Sequence, residues 1–313
     1  RRPSSVAVSA LVRRADTARP TRDPGSARWS AAVGIVAPSR SIETWPFATL
    51  TCPISAAPAE LLAAPEDLEL WRDPAALAVA AALGESEPEA APDAVAGTLA
   101  AYGTPYCVVN NASILRDRIF HKMSWSDWKD VIDVHLHGSF NMSRAVAGHF
   151  REQESGAMVH MTSTSGLVGN FGQANYGAAK MGLVGFTRVL AVEGAKYNIK
   201  ANAIAPLALT RMTEGLGPAP ETDEEREMRS PRWIAPIVTW LASEEAADVT
   251  GRVFEASGQV LAVAEGWVRG PRTQPIEDAT AMGPVVAELL ASARPNSGMN
   301  GDPGGWPQTT LRK

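Results

Sequence analysis

The sequence has few cysteines, no long apolar segment and no excess of basic residues. Cys52 and Cys107 are the only cysteines among 313 residues, too few for a disulfide framework or a thiolate metal site. No apolar run approaches the roughly 20 residues that a membrane-spanning helix needs. The formal net charge is −5 with acidic and basic residues interspersed, so no nucleic-acid surface is indicated. We therefore expect a globular protein without membrane or nucleic-acid partners, located in the cytoplasm.

Residues 1–100 contain no lysine, and more than half of them are Ala, Arg, Pro or Ser. Their closely spaced prolines interrupt helices and central strands. Local order is predicted in two places: a strand within residues 29–39, and a helix over residues 73–85 with Asp73 as cap and Pro74 at the first position. The Arg- and Ser-rich start resembles an organelle presequence, but we interpret it as the ragged start of a fragment.

From about residue 100, short apolar runs alternate with longer helical segments. The runs CVVNNAS, GAMVHMTSTSG, IKANAIAP and GRVFEASG predict strands. This alternation indicates an α/β fold, a Rossmann-like doubly wound parallel sheet with helices on both faces. We divide the chain into an atypical segment (1–100), a core (101–285) and an irregular Gly/Pro-rich tail (286–313). Ligands of such sheets bind beyond the carboxyl ends of the strands, where NNAS, TSTS and APLALT fall.

Two long helices are predicted between these strands. The first covers residues 124–153, with Ser124 as its N-cap and Asp127 three residues later. The second covers residues 173–197 and is rich in small residues. It carries Tyr176 and Lys180 four residues apart, which places the two side chains on one helix face.

Tyr176 and Lys180 form a candidate acid/base pair. A free tyrosine has a pKa of about 10, and a neighbouring ammonium favours the phenolate and lowers that pKa. We therefore expect the pair to act as a general acid or base near neutral pH. Ser163 lies 13 residues before Tyr176, where its hydroxyl can hold a carbonyl or alcohol oxygen against the phenol. The Tyr/Lys spacing alone is weak evidence for a catalytic pair. The assignment depends on its combination with the other motifs.

The motifs NNAS (110–113), TSTSG (162–166), NYGAAK (175–180) and NAIAPLALT (202–210) occur in the order found in short-chain dehydrogenases/reductases. Residues 100–285 resemble that family. Stretches such as NNASILRDRIF are similar to its hydroxyacyl-CoA dehydrogenase branch, which includes the dehydrogenase domain of peroxisomal multifunctional enzyme type 2 and bacterial relatives. The resemblance implies an oxidoreductase that transfers a hydride between a nicotinamide cofactor and a hydroxyl or keto substrate, a 3-hydroxyacyl-CoA-type thioester.

The resemblance also implies a role for each matching residue. Tyr176 would exchange the proton, Lys180 would lower the tyrosine pKa and bind the nicotinamide ribose, and Ser163 would orient the substrate oxygen. Ser165 is the less favoured alternative serine, and His135 serves either a proton relay or helix packing. NAD, with NADP as the alternative, would be lined by further residues: Asn110, Asn111, Ala112, Pro206 and Thr210.

Two helices are expected to pack between subunits of a homodimer or homotetramer, because Gly138, Gly182 and Gly185 allow close approach. No metal site is predicted, because His135 and His137 are two residues apart and share no helix face.

The sequence departs from the family pattern in two places. Ser113 replaces the glycine of the Asn-Asn-Ala-Gly loop, which matters if the backbone there has a positive φ. The glycine-rich turn that receives a pyrophosphate is missing, because glycines in residues 1–100 occur only at 25, 34, 84 and 97. Three explanations are open. The first hundred residues are read from a shifted frame, the chain is a non-catalytic relative that acts as an assembly subunit, or another phosphate loop replaces the usual one.

Overall fold

The computed structural model describes residues 29–30, 33–36, 77–80, 90–210, 212–213 and 219–299. Within these ranges nine strands and eight α-helices are connected by loops and short 3₁₀ turns. The strands are β1 Trp29–Ser30, β2 Val33–Val36, β3 Leu77–Ala80, β4 Cys107–Asn110, β5 Ser113–Ile114, β6 Gly156–Met161, β7 Ile199–Pro206, β8 Val253–Ala256 and β9 Leu261–Val263. The helices are α1 Ala90–Tyr102, α2 Trp125–Ile132, α3 Gly138–Glu152, α4 Thr164–Val168, α5 Ala174–Gly194, α6 Asp223–Met228, α7 Ala235–Ala242 and α8 Met282–Ser292.

Seven of the described strands form one sheet in the order β3-β2-β4-β6-β7-β8-β9. Strands β4, β6, β7 and β8 are parallel, with Val109 opposite Val159 and Val159 opposite Asn202. The outer strands are antiparallel: β3 to β2, β2 to β4, and β9 to β8. The four residues between β8 and β9 permit a hairpin but not a parallel crossover. The predicted Rossmann-like α/β fold is confirmed, although the sheet is mixed and not wholly parallel.

Apolar side chains cover both faces of this sheet. Along β6, Met158 faces one cluster, whereas Ala157 and Val159 face the other, because successive strand residues point to opposite sides. The first cluster joins α1, α3 and α5 to the sheet through Val95, Val146, Phe150, Ala191 and their neighbours. The second joins α7 through Ile237, Leu241 and Ala242. The expected helices on both faces are therefore present.

Two local predictions were wrong. Leu77–Ala80 is a strand paired with β2, not part of a helix over 73–85. A short Ala/Leu/Val run does not distinguish helix from strand by its period, and pairing satisfies backbone groups at the edge of β2. Asp73 and Pro74, the expected cap, lie outside the described residues. At the C-terminal end, α8 includes residues 286–292 of the expected irregular tail. The Gly/Pro-rich part of the sequence begins only after this helix.

The predicted helix over 124–153 is present but is not uniformly α-helical. Ser124 caps α2 in a reciprocal capping box with Asp127, as expected. Between α2 and α3 the chain forms one π-helical turn, Asp133–His137, which contains His135. Such turns are rare and occur frequently at functional sites. None of the described helices is long and apolar enough to cross a membrane.

Gly156 offers a stability test of the core. A Cβ atom at this position would overlap the fully buried ring of Phe150. We expect Gly156→Ala to lower the free energy of unfolding by about 1–3 kcal/mol, because a rigid buried ring must move. Gly148→Ala in α3 is the matched control, since its Cβ would meet nothing within 4 Å. That variant should gain up to about 1 kcal/mol of helix propensity. Urea unfolding measures the stability of both variants. Equal unfolding midpoints would contradict the close packing of Gly156 against Phe150.

Candidate functional site

The carboxyl ends of the parallel strands converge at one edge of the sheet. Strands β4, β6 and β7 end there at Asn110, Met161 and Pro206. Ser163 follows β6 and is the N-cap of α4, with its Oγ accepting from the backbone N–H of Ser165 at 3.2 Å. This edge is where ligands of open α/β sheets bind.

Tyr176 and Lys180 lie in the first two turns of α5 and point toward this edge. Both are buried, with exposed fractions of 8% and 2%. The Lys180 Nζ lies 5.4 Å from the centroid of the Tyr176 ring and donates to the carbonyl of Met161 at 2.7 Å. The ammonium is therefore tied to the end of β6 while it faces the tyrosine.

Asn175 fixes the start of α5, and thereby the position of Tyr176. Its Nδ2 donates to the carbonyl oxygens of Arg116, at 2.9 Å, and Asp127, at 2.8 Å. Its Oδ1 accepts from the backbone N–H of Tyr176 at 2.8 Å. One fully buried amide thus connects α5 to the loop after β5 and to α2.

Small residues around the pair allow other elements to approach α5. A Cβ on Gly166 would lie 2.8 Å from the Cβ of Lys180. A Cβ on Gly177 would lie 3.3 Å from the carbonyl of Ser165, and one on Gly182 the same distance from Leu136. The glycines therefore permit α4 and the π turn to pack directly on the Tyr/Lys helix.

Burial dominates the ionisation of the pair in this structure. Burial raises the pKa of Tyr176, an effect opposed by the nearby Ser163 and Ser113 hydroxyls and reinforced by Asp117. Burial also lowers the pKa of Lys180 to about 7. The net pKa of Tyr176 is therefore raised in this structure, where a net lowering was expected. The cost of desolvating the phenolate exceeds the stabilisation by its neighbours.

His135 packs edge-on against Tyr176 inside the protein. The two ring centroids are 5.2 Å apart at an angle of 89°, and His135 is 1% exposed. Its Nε2 lies 2.9 Å from the carbonyl oxygen and 3.2 Å from the amide nitrogen of Ile114. Burial and then Lys180 lower the pKa of His135 well below its usual value. The ring is therefore neutral, and its buried Nδ1 has no hydrogen-bond partner among the described residues.

Ser113 lies in β5 beside this cluster and is 6% exposed. Its backbone φ is not positive, since the described non-glycine residues with positive φ are Glu154 and Asn198. The serine thus fits the position of the expected glycine without backbone strain. Its Oγ is close enough to lower the pKa of Tyr176 but makes no hydrogen bond of normal geometry within the described part of the chain.

The side chain of Asn110 belongs to a buried polar chain. Its Nδ2 donates to Ser143 Oγ at 3.1 Å, and Ser143 Oγ lies 3.2 Å from His160 Nε2. The other His160 nitrogen lies 3.0 Å from Thr187 Oγ1 on α5. Burial lowers the pKa of His160 to about 4, so this ring is neutral. Sequence reasoning missed the chain, although polar residues within apolar strands were visible in the sequence.

The remaining expected residues lie at the same edge, and within the described part of the chain no hydrogen bond joins them to the Tyr176 phenol. Ala112 packs beside the buried cluster that contains Tyr176 and Ile114. Pro206 ends β7, and Thr210 is held in a turn by Thr213, whose Oγ1 accepts from the Thr210 N–H at 2.8 Å. Asn111 is half-buried after β4. Sequence analysis finds no glycine-rich phosphate turn in residues 1–100, and most of those residues lie outside the described ranges.

The chain is similar to known proteins. A sequence profile described as short chain dehydrogenase matches residues 52–221, more than half of the chain. The crystal structure of a short chain dehydrogenase from Mycobacterium avium has a TM-score of 0.61 and 39% identity, covering 67% of this chain and 73% of that one.

Three curated relatives each match a little more than half of this chain. A short-chain type dehydrogenase/reductase of Mycobacterium tuberculosis is 52% identical over 163 residues, which cover 52% of this chain and 56% of that protein. Peroxisomal multifunctional enzyme type 2 of Mus musculus is 42% identical over 180 residues, 58% of this chain and 23% of that protein. An acetoacetyl-CoA reductase of an Acinetobacter species is 41% identical over 176 residues, 54% of this chain and 71% of that protein. The match thus spans little more than half the length of the mycobacterial relative.

Proposed function

The chain belongs to the short-chain dehydrogenase family, and from this membership we propose that it is a nicotinamide-dependent dehydrogenase of 3-hydroxyacyl-CoA-type thioesters. The observation that carries the proposal is the meeting of Tyr176, Lys180 and Ser163 at the carboxyl edge of the sheet. A phenol, an ammonium and a hydroxyl at one point are the groups that a carbonyl/alcohol interconversion needs.

In the oxidative direction, Tyr176 takes the proton of the substrate hydroxyl while Ser163 holds the same oxygen by a hydrogen bond. Lys180 stabilises the phenolate form, since an ammonium near the ring favours the charged phenol oxygen. The neutral His135 ring packs against Tyr176 and offers its unpartnered Nδ1 to a proton path. The nicotinamide, when bound, supplies the hydride chemistry.

The residues at this edge fit the nicotinamide–ribose part of such a cofactor. A charged Lys180 carries three donors, of which one is used by Met161, so the others suit the ribose hydroxyls. Ala112 and Pro206 suit the face of a flat ring, with Asn110, Asn111 and Thr210 around it. We expect NAD as the cofactor, with NADP as the alternative. The pyrophosphate would be held by residues outside the described ranges.

The substrate class is inferred from the relatives. One relative is named for acetoacetyl-CoA, a 3-ketoacyl thioester, and the reverse reaction of such an enzyme oxidises a 3-hydroxyacyl thioester. The exposed rings of Phe120 and Phe171 support this class. Phe120 follows Ile119, and Phe171 precedes Gly172. The backbones of Ile119 and Gly172 approach each other beside the site. Such a surface suits an apolar acyl chain.

We also propose a homodimer, or a tetramer built from such dimers, through α3 and α5. Gly185, Val189 and Val192 form one stripe along α5, and the two valines are 54% and 79% exposed. Phe140 of α3 is 51% exposed and lies 6.3 Å from the Phe186 ring. A cytoplasmic location remains part of the proposal.

Titration of the purified chain with NADH, and with NADPH in parallel, tests the function. We expect saturable binding of NADH, seen by nucleotide fluorescence, followed by reduction of NAD with 3-hydroxyacyl-CoA thioesters. Binding without turnover of these thioesters would contradict the substrate class. Failure to bind either nucleotide would overturn the dehydrogenase and favour the non-catalytic assembly subunit.

A further inference from the structure

The hydroxyl of Ser113 is a buried polar group without a partner beside the reacting residues. Ser113 is 6% exposed, and its Oγ makes no hydrogen bond of normal geometry within the described part of the chain. Leaving a buried hydroxyl unpaired carries a desolvation cost. Such a cost at one site residue indicates a partner with which the described residues form no hydrogen bond of normal geometry in the resting structure.

The Tyr176 phenol lies near the Ser113 hydroxyl, which acts to lower the pKa of that phenol. The next residue, Ile114, belongs to the same buried cluster as Tyr176, and so does Ala112 on the other side. The backbone of Ile114 is held by His135 Nε2, whose ring packs edge-on against Tyr176. The strand that carries Ser113 is therefore fixed to the histidine whose ring packs against Tyr176.

We propose that Ser113 is a positioning residue that donates a hydrogen bond to the phenolate oxygen of Tyr176, acting with Ser163 on its two sides. The proposal rests on the assignment of Tyr176 as the proton-transfer residue. A phenolate accepts hydrogen bonds more strongly than a neutral phenol, because one partner is charged. The Ser113 hydroxyl therefore gains its partner when Tyr176 loses its proton.

The effect would be a lower cost of ionising Tyr176. The ionisable groups that face the phenol are Lys180 on the same helix, His135 in the π turn and Asp117 in the loop after β5. Burial and Asp117 raise the pKa of the phenol, whereas the two serine hydroxyls lower it. Ser113 stands where the loop motif has a glycine. Its hydroxyl would thus offset part of the rise in the Tyr176 pKa that burial causes.

The test is a spectrophotometric titration of Tyr176, taken as the difference in phenolate absorbance between each chain and its Tyr176→Phe counterpart. In Ser113→Ala we expect the ionisation midpoint to rise by about one pH unit or more, the shift expected for one lost hydrogen bond to a charged group. Ser113→Thr, which keeps the hydroxyl, should restore the native midpoint. The pH at which kcat/KM is half-maximal should rise with the midpoint.

Thr98→Val is the matched control. Thr98 is also 6% exposed, and its hydroxyl donates to the Ala94 carbonyl in α1, away from the site. This variant should leave the phenol midpoint unchanged even if it loses stability. Ser113→Gly repeats the test if the alanine variant folds poorly.

Two results would overturn the inference. One is an unmoved phenol midpoint in folded Ser113→Ala and Ser113→Gly. The other is a change in KM alone in these variants, which would indicate that the Ser113 hydroxyl binds the substrate and not the phenol. The titration needs neither cofactor nor substrate. A chain with the expected phenol shift but no turnover would therefore disprove the substrate proposal without disproving the role of Ser113.

Discussion

Tyr176→Phe is expected to reduce turnover by about 10²- to 10⁴-fold, the usual contribution of one positioned acid or base. The change removes a single oxygen atom, so the substrate hydroxyl loses the group that takes its proton. The ring itself stays, packed with Ile114, Val131 and Ala179 and edge-on to His135. The fold should therefore persist, with the free energy of unfolding changed by less than about 1.5 kcal/mol. Steady-state kinetics and urea unfolding on the same preparation measure both effects.

Tyr197→Phe is the matched control for that variant. Tyr197 follows α5 and contacts Arg151 through its ring face, with the cation 5.1 Å from the centroid. Removing this oxygen leaves the acid/base group in place, so turnover should not change. Equal activity in Tyr176→Phe and in the native chain would disprove the assigned role, and unfolding of Tyr176→Phe would disprove the claim that the ring alone maintains the packing.

The motifs of the core predicted the placement of three of the candidate site residues. Ser163, Tyr176 and Lys180 were expected together because a strand end and one helix face fix their positions, and the structure brings them to one edge. The buried polar chain from Asn110 to Thr187 was not predicted. It joins β4, α3, β6 and α5, and a hydrogen-bond pattern between distant segments leaves no periodic signal in the sequence.

The two expectations for His135, proton relay and helix packing, are compatible in the structure. One ring nitrogen lies against the Ile114 backbone, which fixes the packing, while the other is buried and finds no hydrogen-bond partner in the described ranges. The π turn that presents the ring was invisible in the sequence, because its residues continue the helical pattern of their neighbours. The incorrect prediction of a helix over residues 73–85 also arose because the sequence pattern did not show the deciding interaction, which is the pairing of β3 with β2.

Lys180→Met is expected to make the chain more stable and nearly inactive at neutral pH. Burial lowers the lysine pKa from 10.5 to about 7, so the unfolded chain binds more protons than the folded chain between these two values. Native stability should therefore rise with pH across this window, with the burial penalty greatest below pH 7. Methionine is uncharged and similar in length, so it removes this penalty. The gain should be about 1–3 kcal/mol at neutral pH after the hydrogen bond to Met161 is lost.

The catalytic loss follows from the same substitution, because nothing else at the site holds a positive charge against the Tyr176 ring at the 5.4 Å observed for Lys180 within the described residues. Lys196→Met, the same change at an exposed position after α5, should leave turnover unchanged. Unfolding by urea at a series of pH values compares the three chains. A native stability that stays flat between pH 7 and 10.5 would contradict the buried lysine. A Lys180→Met chain that gained stability and kept its turnover would show that the charge serves neither the phenolate nor the cofactor. The combination expected here, higher stability with lost turnover, is that of a residue retained for chemistry at the expense of the fold.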